Sequence, residues 1–187
     1  VYQIIYILFL PFAFIISGVI SIFEKQNRRK FFDRFLLKSN ILKLDPTKKY
    51  IWLHCLSLGE VRSATKIINE ILKENYSILI STTTHTGYNM IRKTFKDKLI
   101  CLYTPYDFYP IIYYLYKKVK PIAYIIIEWD LWPFTVHFLN KKNIPLFLIN
   151  ARLGKEGKNY YKLKFFFNKL FSAFNLIISQ TDEEYKQ

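Results

Sequence analysis

Acidic side chains are scarce in this chain: 14 Asp and Glu stand against 28 Lys and Arg over 187 residues, a formal net charge of +14. A surface so biased attracts anions, whether nucleic acid, a phosphorylated metabolite or the negative face of a membrane, and charge alone does not choose among them. Cysteine is nearly absent. Cys55 and Cys101 lie in separate apolar runs with no CxxC spacing, which excludes a disulfide-stapled scaffold and reads as two buried free thiols in a reducing compartment. Cys55 is not expected to act as a nucleophile with His54, because neighbours on a strand point to opposite faces. With three His and no Cys/His cluster, no metal site is expected. Five Gly and seven Pro are too few for a disordered polymer, and the length suits one good-sized core plus an appendage.

Charge is missing altogether from residues 1–23, "VYQIIYILFLPFAFIISGVISIF". About 20 apolar residues span a bilayer as a helix, so this stretch is expected to be a membrane anchor, with Pro11 a kink. It lacks the basic start and small-residue cleavage site of a signal peptide. Residues 24–49 form a basic juxtamembrane segment, "EKQNRRKFFDRFLLK" at its start, which places the rest of the chain on the cytoplasmic side by the positive-inside rule. As a helix this stretch sets Lys30, Arg34 and Lys38 on one stripe with Phe31 and Phe35 beside it, a pattern suited to an anionic lipid surface. No nucleic-acid-binding motif accompanies the charge.

From Tyr50 onward, short apolar runs alternate with helical patterns. The runs are "YIWLHCL", "SILISTT", "LICLYTP", "PIAYIIIEW", "IPLFLINARL" and "NLIISQ". The helices are expected over Glu60–Glu74, Thr86–Phe95, Asp107–Lys120, from about Pro133, and Lys158–Phe171. Hydrophobicity within the runs is continuous rather than alternating, the mark of strands buried on both faces. The expected fold over residues 50–187 is therefore a doubly wound α/β, Rossmann-like parallel sheet. Such sheets bind ligands at the carboxyl ends of their strands, where the strand order reverses. With an order 3-2-1-4-5, the segments bearing Glu60 and Glu128 would share one crevice.

The polar residues collect at those strand ends. "SLGE", Ser57 to Glu60, has the spacing of a capping box, the reading that spacing alone favours, and the alternative for Glu60 is a general base. Burial would raise its pKa, whereas a helix N-terminus favours the anion. "STTTHTG" offers Thr84, Thr86 and Gly87 either to a phosphate or to a helix cap; it is not a P-loop. In "IIIEWDLWP", two acids and two large aromatics leave a buried strand together, with Asp130 well placed near the positive end of the following helix. Arg152 is suited to a phosphate or carboxylate, or to an acidic neighbour.

Taken in order, "HCLSLGE", "STTTHTG", "PYD", "EWDLWP" and "NARL", behind an apolar segment and "RRKFFDRF", resemble the amino-terminal half of the 3-deoxy-D-manno-octulosonic acid (Kdo) transferases, glycosyltransferases of lipid A. The resemblance implies a GT-B fold of two Rossmann-like halves, of which this chain carries the acceptor-binding one. The donor-binding half is absent, and a fragment is expected. It implies transfer of Kdo from CMP-Kdo to a lipid A precursor at the inner membrane, with no cofactor and no metal. The family motif H-x-x-S-x-G-E puts its catalytic base on Glu60, and the first acid of E-T-E-L-W-P, which stabilises the transition state, falls on Glu128. His54, Ser57, Gly59 and Asp130 stand in the same motifs as candidate substrate-binding residues, together with Thr84, Thr86, Gly87 and Arg152. The chain departs from the family pattern at His85, Trp129, Asp130, Phe134 and Gly154, and keeps both proposed acids.

Overall fold

A computed structural model of the chain describes residues 25–37, 41, 44–151 and 164–180. Six strands form one parallel sheet: β1 (Tyr50–Cys55), β2 (Ser77–Thr82), β3 (Ile100–Tyr103), β4 (Ala123–Ile127), β5 (Leu146–Ala151) and β6 (Leu176–Ser179). Their order is β3-β2-β1-β4-β5-β6, so the chain winds outward from β1 and then returns to β4 on its other side. The expected order for the first five strands is therefore found, and β1 and β4 meet at the switch point.

The helices are α1 (Lys25–Arg34), α2 (Leu58–Lys73), α3 (His85–Phe95), α4 (Tyr109–Val119), α5 (Pro133–Lys141) and α6 (Lys164–Phe171). Helices α2 and α3 cover one face of the sheet, burying Val61, Ala64, Ile68 and Ile91 against Leu53, Cys55 and Ile80. Helices α4, α5 and α6 cover the other, with Leu115, Val136, Leu139 and Leu170 against Trp52, Leu79 and Leu148. This double cover explains why β1 is buried at all six positions and why its run shows no alternation. Cys55 packs in the α2 side of the core, and both thiols are free and buried.

Helix α1 departs from expectation. Phe31 and Arg34, read from sequence as part of a lipid-facing stripe, turn into the domain instead. Phe31 is buried, with ring contacts to Phe35 and Tyr106. The Arg34 guanidinium lies 4.2 Å from the centre of the Tyr106 ring, and its Nε donates to the Thr104 carbonyl at 2.9 Å. A planar, weakly hydrated guanidinium gains more from an aromatic face and a carbonyl than an ammonium would. Burial, and then the neighbouring Arg34 charge, lower the pKa of Lys30. The expected anchor over residues 1–23 and the stripe residue Lys38 lie outside the described residues. Among the described residues, no helix is long and apolar enough to cross a membrane.

One buried acid fixes the far side of the crevice. Helix α5 starts at Pro133 with Trp132 as a cap residue that makes no side-chain cap bond. Asp107, from the loop after β3, supplies that cap from a distance. Its Oδ2 accepts from Phe134 N–H at 2.9 Å, and its Oδ1 from Thr135 N–H at 2.8 Å and the Thr135 hydroxyl at 2.6 Å. Asp107→Ala strands a buried N–H and hydroxyl at Thr135 and a part-buried N–H at Phe134, and is expected to cost about 2–4 kcal/mol in urea unfolding, more than an ordinary N-cap loss.

Candidate active site

The loops after β1 and β2 are tied together through the backbone of one residue, Leu56, whose N–H and carbonyl belong to successive peptide units. Its carbonyl accepts from Thr83 N–H (3.2 Å), Thr84 N–H (3.1 Å) and the Thr82 hydroxyl (3.3 Å). Its N–H donates to Glu60 Oε2. Ser57 caps α2 in extended conformation, accepting from Glu60 N–H at 3.4 Å, and its hydroxyl also approaches Glu60 Oε1 at 3.5 Å. The capping box is thus real, with one change of partner: the glutamate reaches the N–H of the residue before the cap instead of the cap's own.

Glu60 is only 4% exposed. Burial raises its pKa most; the Leu56 N–H pulls it down, and the charges of Glu128 and Asp130 push it up again, with Ser57 a small opposing influence. The result is a carboxyl raised from 4.5 to about 7. The helix N-terminus alone would have favoured the anion; loss of water outweighs it.

Glu128 is the first residue after β4 and adopts a left-handed backbone, φ 64°. That conformation costs a non-glycine residue about 1–2 kcal/mol. It is held by Glu128 N–H donating to the Ile149 carbonyl at 2.9 Å. Asn150, the neighbour at the end of β5, is also left-handed at φ 60°, where the β5–β6 register shifts. A groove of about 460 Å³ runs between α2 and these strand ends, lined by Ser63, Ile67, Ile127, Ile149 and Asn150.

His54 faces the other side of the sheet from Cys55. It has no exposed surface, and its two ring nitrogens meet Ser81 Oγ at 3.0 Å and Asp130 Oδ2 at 2.8 Å. Trp132 Nε1 also donates to Asp130 Oδ2 at 3.1 Å, and Trp52 Nε1 to Ser81 Oγ at 2.9 Å. Although burial raises the Asp130 pKa, the hydrogen bond from His54 (and its charge when the ring is protonated), the Trp132 N–H and the Arg34 charge together hold its carboxyl below the usual range. A Ser–His–Asp sequence of contacts here does not make a nucleophile, because Ser81 is fully buried and no substrate can reach its oxygen.

The structure therefore brings Glu60, Glu128 and Asp130 into one electrostatic neighbourhood at the switch point. It places His54 behind that group, sealed from solvent, so His54 is not positioned to touch a ligand. Thr84 caps α3, accepting from Gly87 N–H at 3.1 Å, while Thr86 is exposed with its hydroxyl 3.4 Å from that of Thr84. Gly87 is buried where α3 meets the β1–α2 loop, and a Cβ there would stand 2.6 Å from Thr82 Oγ1. Gly59 is exposed at the start of α2 and a Cβ would meet only Ser57 Oγ at 3.7 Å. Arg152 lies outside the described residues. Sequence reasoning passed over Trp52 and Ser81, and gave Arg34, Asp107 and Trp132 other parts: a lipid-facing stripe, a helix start and an aromatic beside two acids. The signal for Trp52 and Ser81 was polar chemistry inside apolar strands: Ser81 at the end of "SILIS", and His54 two residues from Trp52 on the same strand face. Among the described residues, no group of three or more His, Cys, Asp and Glu side chains is placed to hold a metal ion.

The family model of the 3-deoxy-D-manno-octulosonic-acid transferases (kdotransferases) matches residues 28–187. The chain belongs to this family. A relative from Haemophilus influenzae named 3-deoxy-D-manno-octulosonic acid transferase is 30% identical over 91% of the chain and 40% of its own length. A bifunctional glycosyltransferase/methyltransferase of Fusobacterium nucleatum is 32% identical over 73% of the chain and 22% of its own length. A probable mitochondrial 3-deoxy-D-manno-octulosonic acid transferase of Arabidopsis thaliana is 33% identical over 60% of the chain and 26% of its own length. The chain spans less than half the length of these relatives.

Two predictions test this kdotransferase-family site as a physical object. Gly87→Ala is expected to destabilise by about 1–3 kcal/mol through overpacking, whereas Gly59→Ala should leave the melting temperature unchanged or slightly raised. For Glu60, the folded pKa of about 7 exceeds the usual 4.5, so the native state binds more protons and its stability falls as pH rises through that interval. Glu60→Gln keeps an oxygen for the Leu56 N–H and removes the ionisation. In urea melts it should match the parent near pH 4 and exceed it at pH 8, by at most ~3 kcal/mol.

Proposed function

We propose that this chain is the acceptor-binding half of a GT-B Kdo transferase. In this reading it serves the transfer of Kdo from CMP-Kdo to a tetraacylated lipid A precursor (lipid IVA) in lipopolysaccharide biosynthesis. The observation that carries the reading is Glu60, a buried carboxyl at the switch point raised to about 7, the range in which a general base works at neutral pH. Family membership supports a nucleotide-sugar donor and a lipid acceptor.

Glu60 takes the proton from a hydroxyl of the acceptor sugar. The oxygen attacks the anomeric carbon of Kdo, the bond to CMP breaks with its electron pair leaving on the phosphate, and configuration inverts. Glu128, across the crevice, offers negative charge to the oxocarbenium-like centre that develops. Neither step calls on a cofactor or a metal. Gly59 and Thr86, both exposed at helix starts, and Arg152 have roles in seating the phosphorylated acceptor. Thr84, Ser57 and Gly87 contribute by shaping those helix starts. The donor's nucleotide is bound by a second, carboxyl-terminal half.

The chain works at the cytoplasmic face of the inner membrane. Its +14 charge suits an anionic lipid surface and a phosphorylated lipid, and residues 1–23 supply the anchor. Nucleic acid is not a partner in this reading.

The test is Kdo transfer from CMP-Kdo to lipid IVA by the full-length protein. Glu60→Gln is expected to cut kcat by 100-fold or more, on the order of a lost general base, with acceptor binding retained. The parent's kcat/KM should fall as pH drops below about 7, because the base must be unprotonated, and the variant should lose that limb. Full turnover in Glu60→Gln would leave Glu60 a helix cap and nothing more.

A further inference from the structure

At the carboxyl ends of β1 and β2 the apolar core gives way to a line of hydrogen bonds, with Thr104 Oγ1 (3.5 Å from His54 Nδ1) and Trp132 Nε1 (3.2 Å from His54 Nε2) beside it. It runs from Trp52 Nε1 to Ser81 Oγ (2.9 Å), from Ser81 to His54 Nδ1 (3.0 Å), and from His54 Nε2 to Asp130 Oδ2 (2.8 Å). Trp52 is 1% exposed, and Ser81 and His54 are wholly buried. An ionised Asp130 Oδ2 at 2.8 Å calls for a proton on His54 Nε2, which leaves Nδ1 to accept. An indole N–H only donates, so Ser81 Oγ accepts from Trp52 and its own proton is left for His54 Nδ1.

The line ends asymmetrically. Both side-chain donors that reach Asp130, His54 and Trp132, land on Oδ2. Among the described residues Oδ1 accepts no hydrogen bond, and the side chain is 20% exposed. A fully satisfied buried network would leave neither oxygen without a protein donor. The carboxylate is instead fixed from behind and open in front, in the crevice that also holds Glu60 and Glu128.

We propose that Ser81 and His54 are positioning residues for Asp130, fixing its carboxylate through Oδ2 so that Oδ1 is presented at the crevice as the acceptor for a hydroxyl of the sugar being glycosylated. This rests on Glu60 being the base that acts on that sugar. Asp130 is faced by His54 from β1, Arg34 from α1 and Glu60 from α2, and the first two keep it an anion despite its burial. Anionic acceptors make the stronger bonds to hydroxyl donors.

Two measurements test the arrangement. In this chain, 15N NMR of the His54 ring should show Nε2 protonated and Nδ1 accepting, and Ser81→Ala should shift the Nδ1 signal; a ring protonated only at Nδ1 would overturn the proposal. In the full-length protein, with CMP-Kdo saturating, Ser81→Ala should raise the KM for lipid IVA about tenfold, with the donor KM unchanged and Ser81→Thr restoring much of the loss. A folded Ser81→Ala whose acceptor KM stays within about twofold of the parent would sink it. If Ser81→Ala does not fold, Asp130→Asn decides on the same acceptor KM, because that side chain reaches the surface. Glu60→Gln is assayed alongside. Its retained turnover would remove the base but not the acceptor-KM effect of Ser81 and Asp130, so failure of the two readings is told apart.

Discussion

A buried carboxyl that must still be hydrogen-bonded is the constraint around which this domain is arranged. Glu60 loses most of its water and receives in exchange the N–H of Leu56. The carbonyl of the same residue, in the next peptide unit, accepts from three donors at the end of β2 and just after it. The site's most unusual group and the junction of two βα loops are therefore one object. It can form only where two helix starts lie side by side, and only a glycine at position 87 lets α3 approach that closely. Helix capping and a raised pKa, which look like rival explanations of one glutamate, are two consequences of the same burial.

The opposite wall of the crevice is built on a second buried acid used in the opposite way. Asp107 spends both oxygens on the start of α5, so the chain leaving β4 is fixed just after Trp132. Asp130 and Trp132 are thereby held against His54, while Arg34 reaches over from α1 to lie 5.5 Å from the Trp132 ring centre. Helix α1 is thus a part of the domain, coupled to the strand ends through Thr104 and Tyr106. The positive charge that a composition-level reading gives to a lipid surface is in this residue directed at the site.

Much of this architecture was legible in the residues. Continuous apolar runs revealed strands covered on both sides, and the alternation with 3.6-period helices gave a parallel sheet. Helix boundaries came within about two residues where a cap residue marked them, as Ser57 and Thr84 do. The loop residues that mattered, Glu60, Glu128 and Asp130, stood out because charge is scarce beside β-strands. Ser81 and Trp52 did not, since a serine and a tryptophan inside an apolar run read as ordinary core until their partners are seen. Asp107 looked like a helix start and proved to cap a different helix, 28 residues away in sequence.

By itself the sequence determined the class of fold, the charge, and which side chains stand at the carboxyl ends of strands, because period and composition are local properties of the chain. Only the tertiary structure decided what those side chains do. Whether Glu60 is an ordinary carboxylate or a carboxyl raised to about 7 depends on how much water the packed helices exclude. Whether His54 meets a ligand or supports Asp130 depends on which face of β1 it occupies once Ser81 and Asp130 arrive from β2 and beyond β4. Those are distances across the sheet, fixed by the crossovers, and no stretch of neighbouring residues contains them.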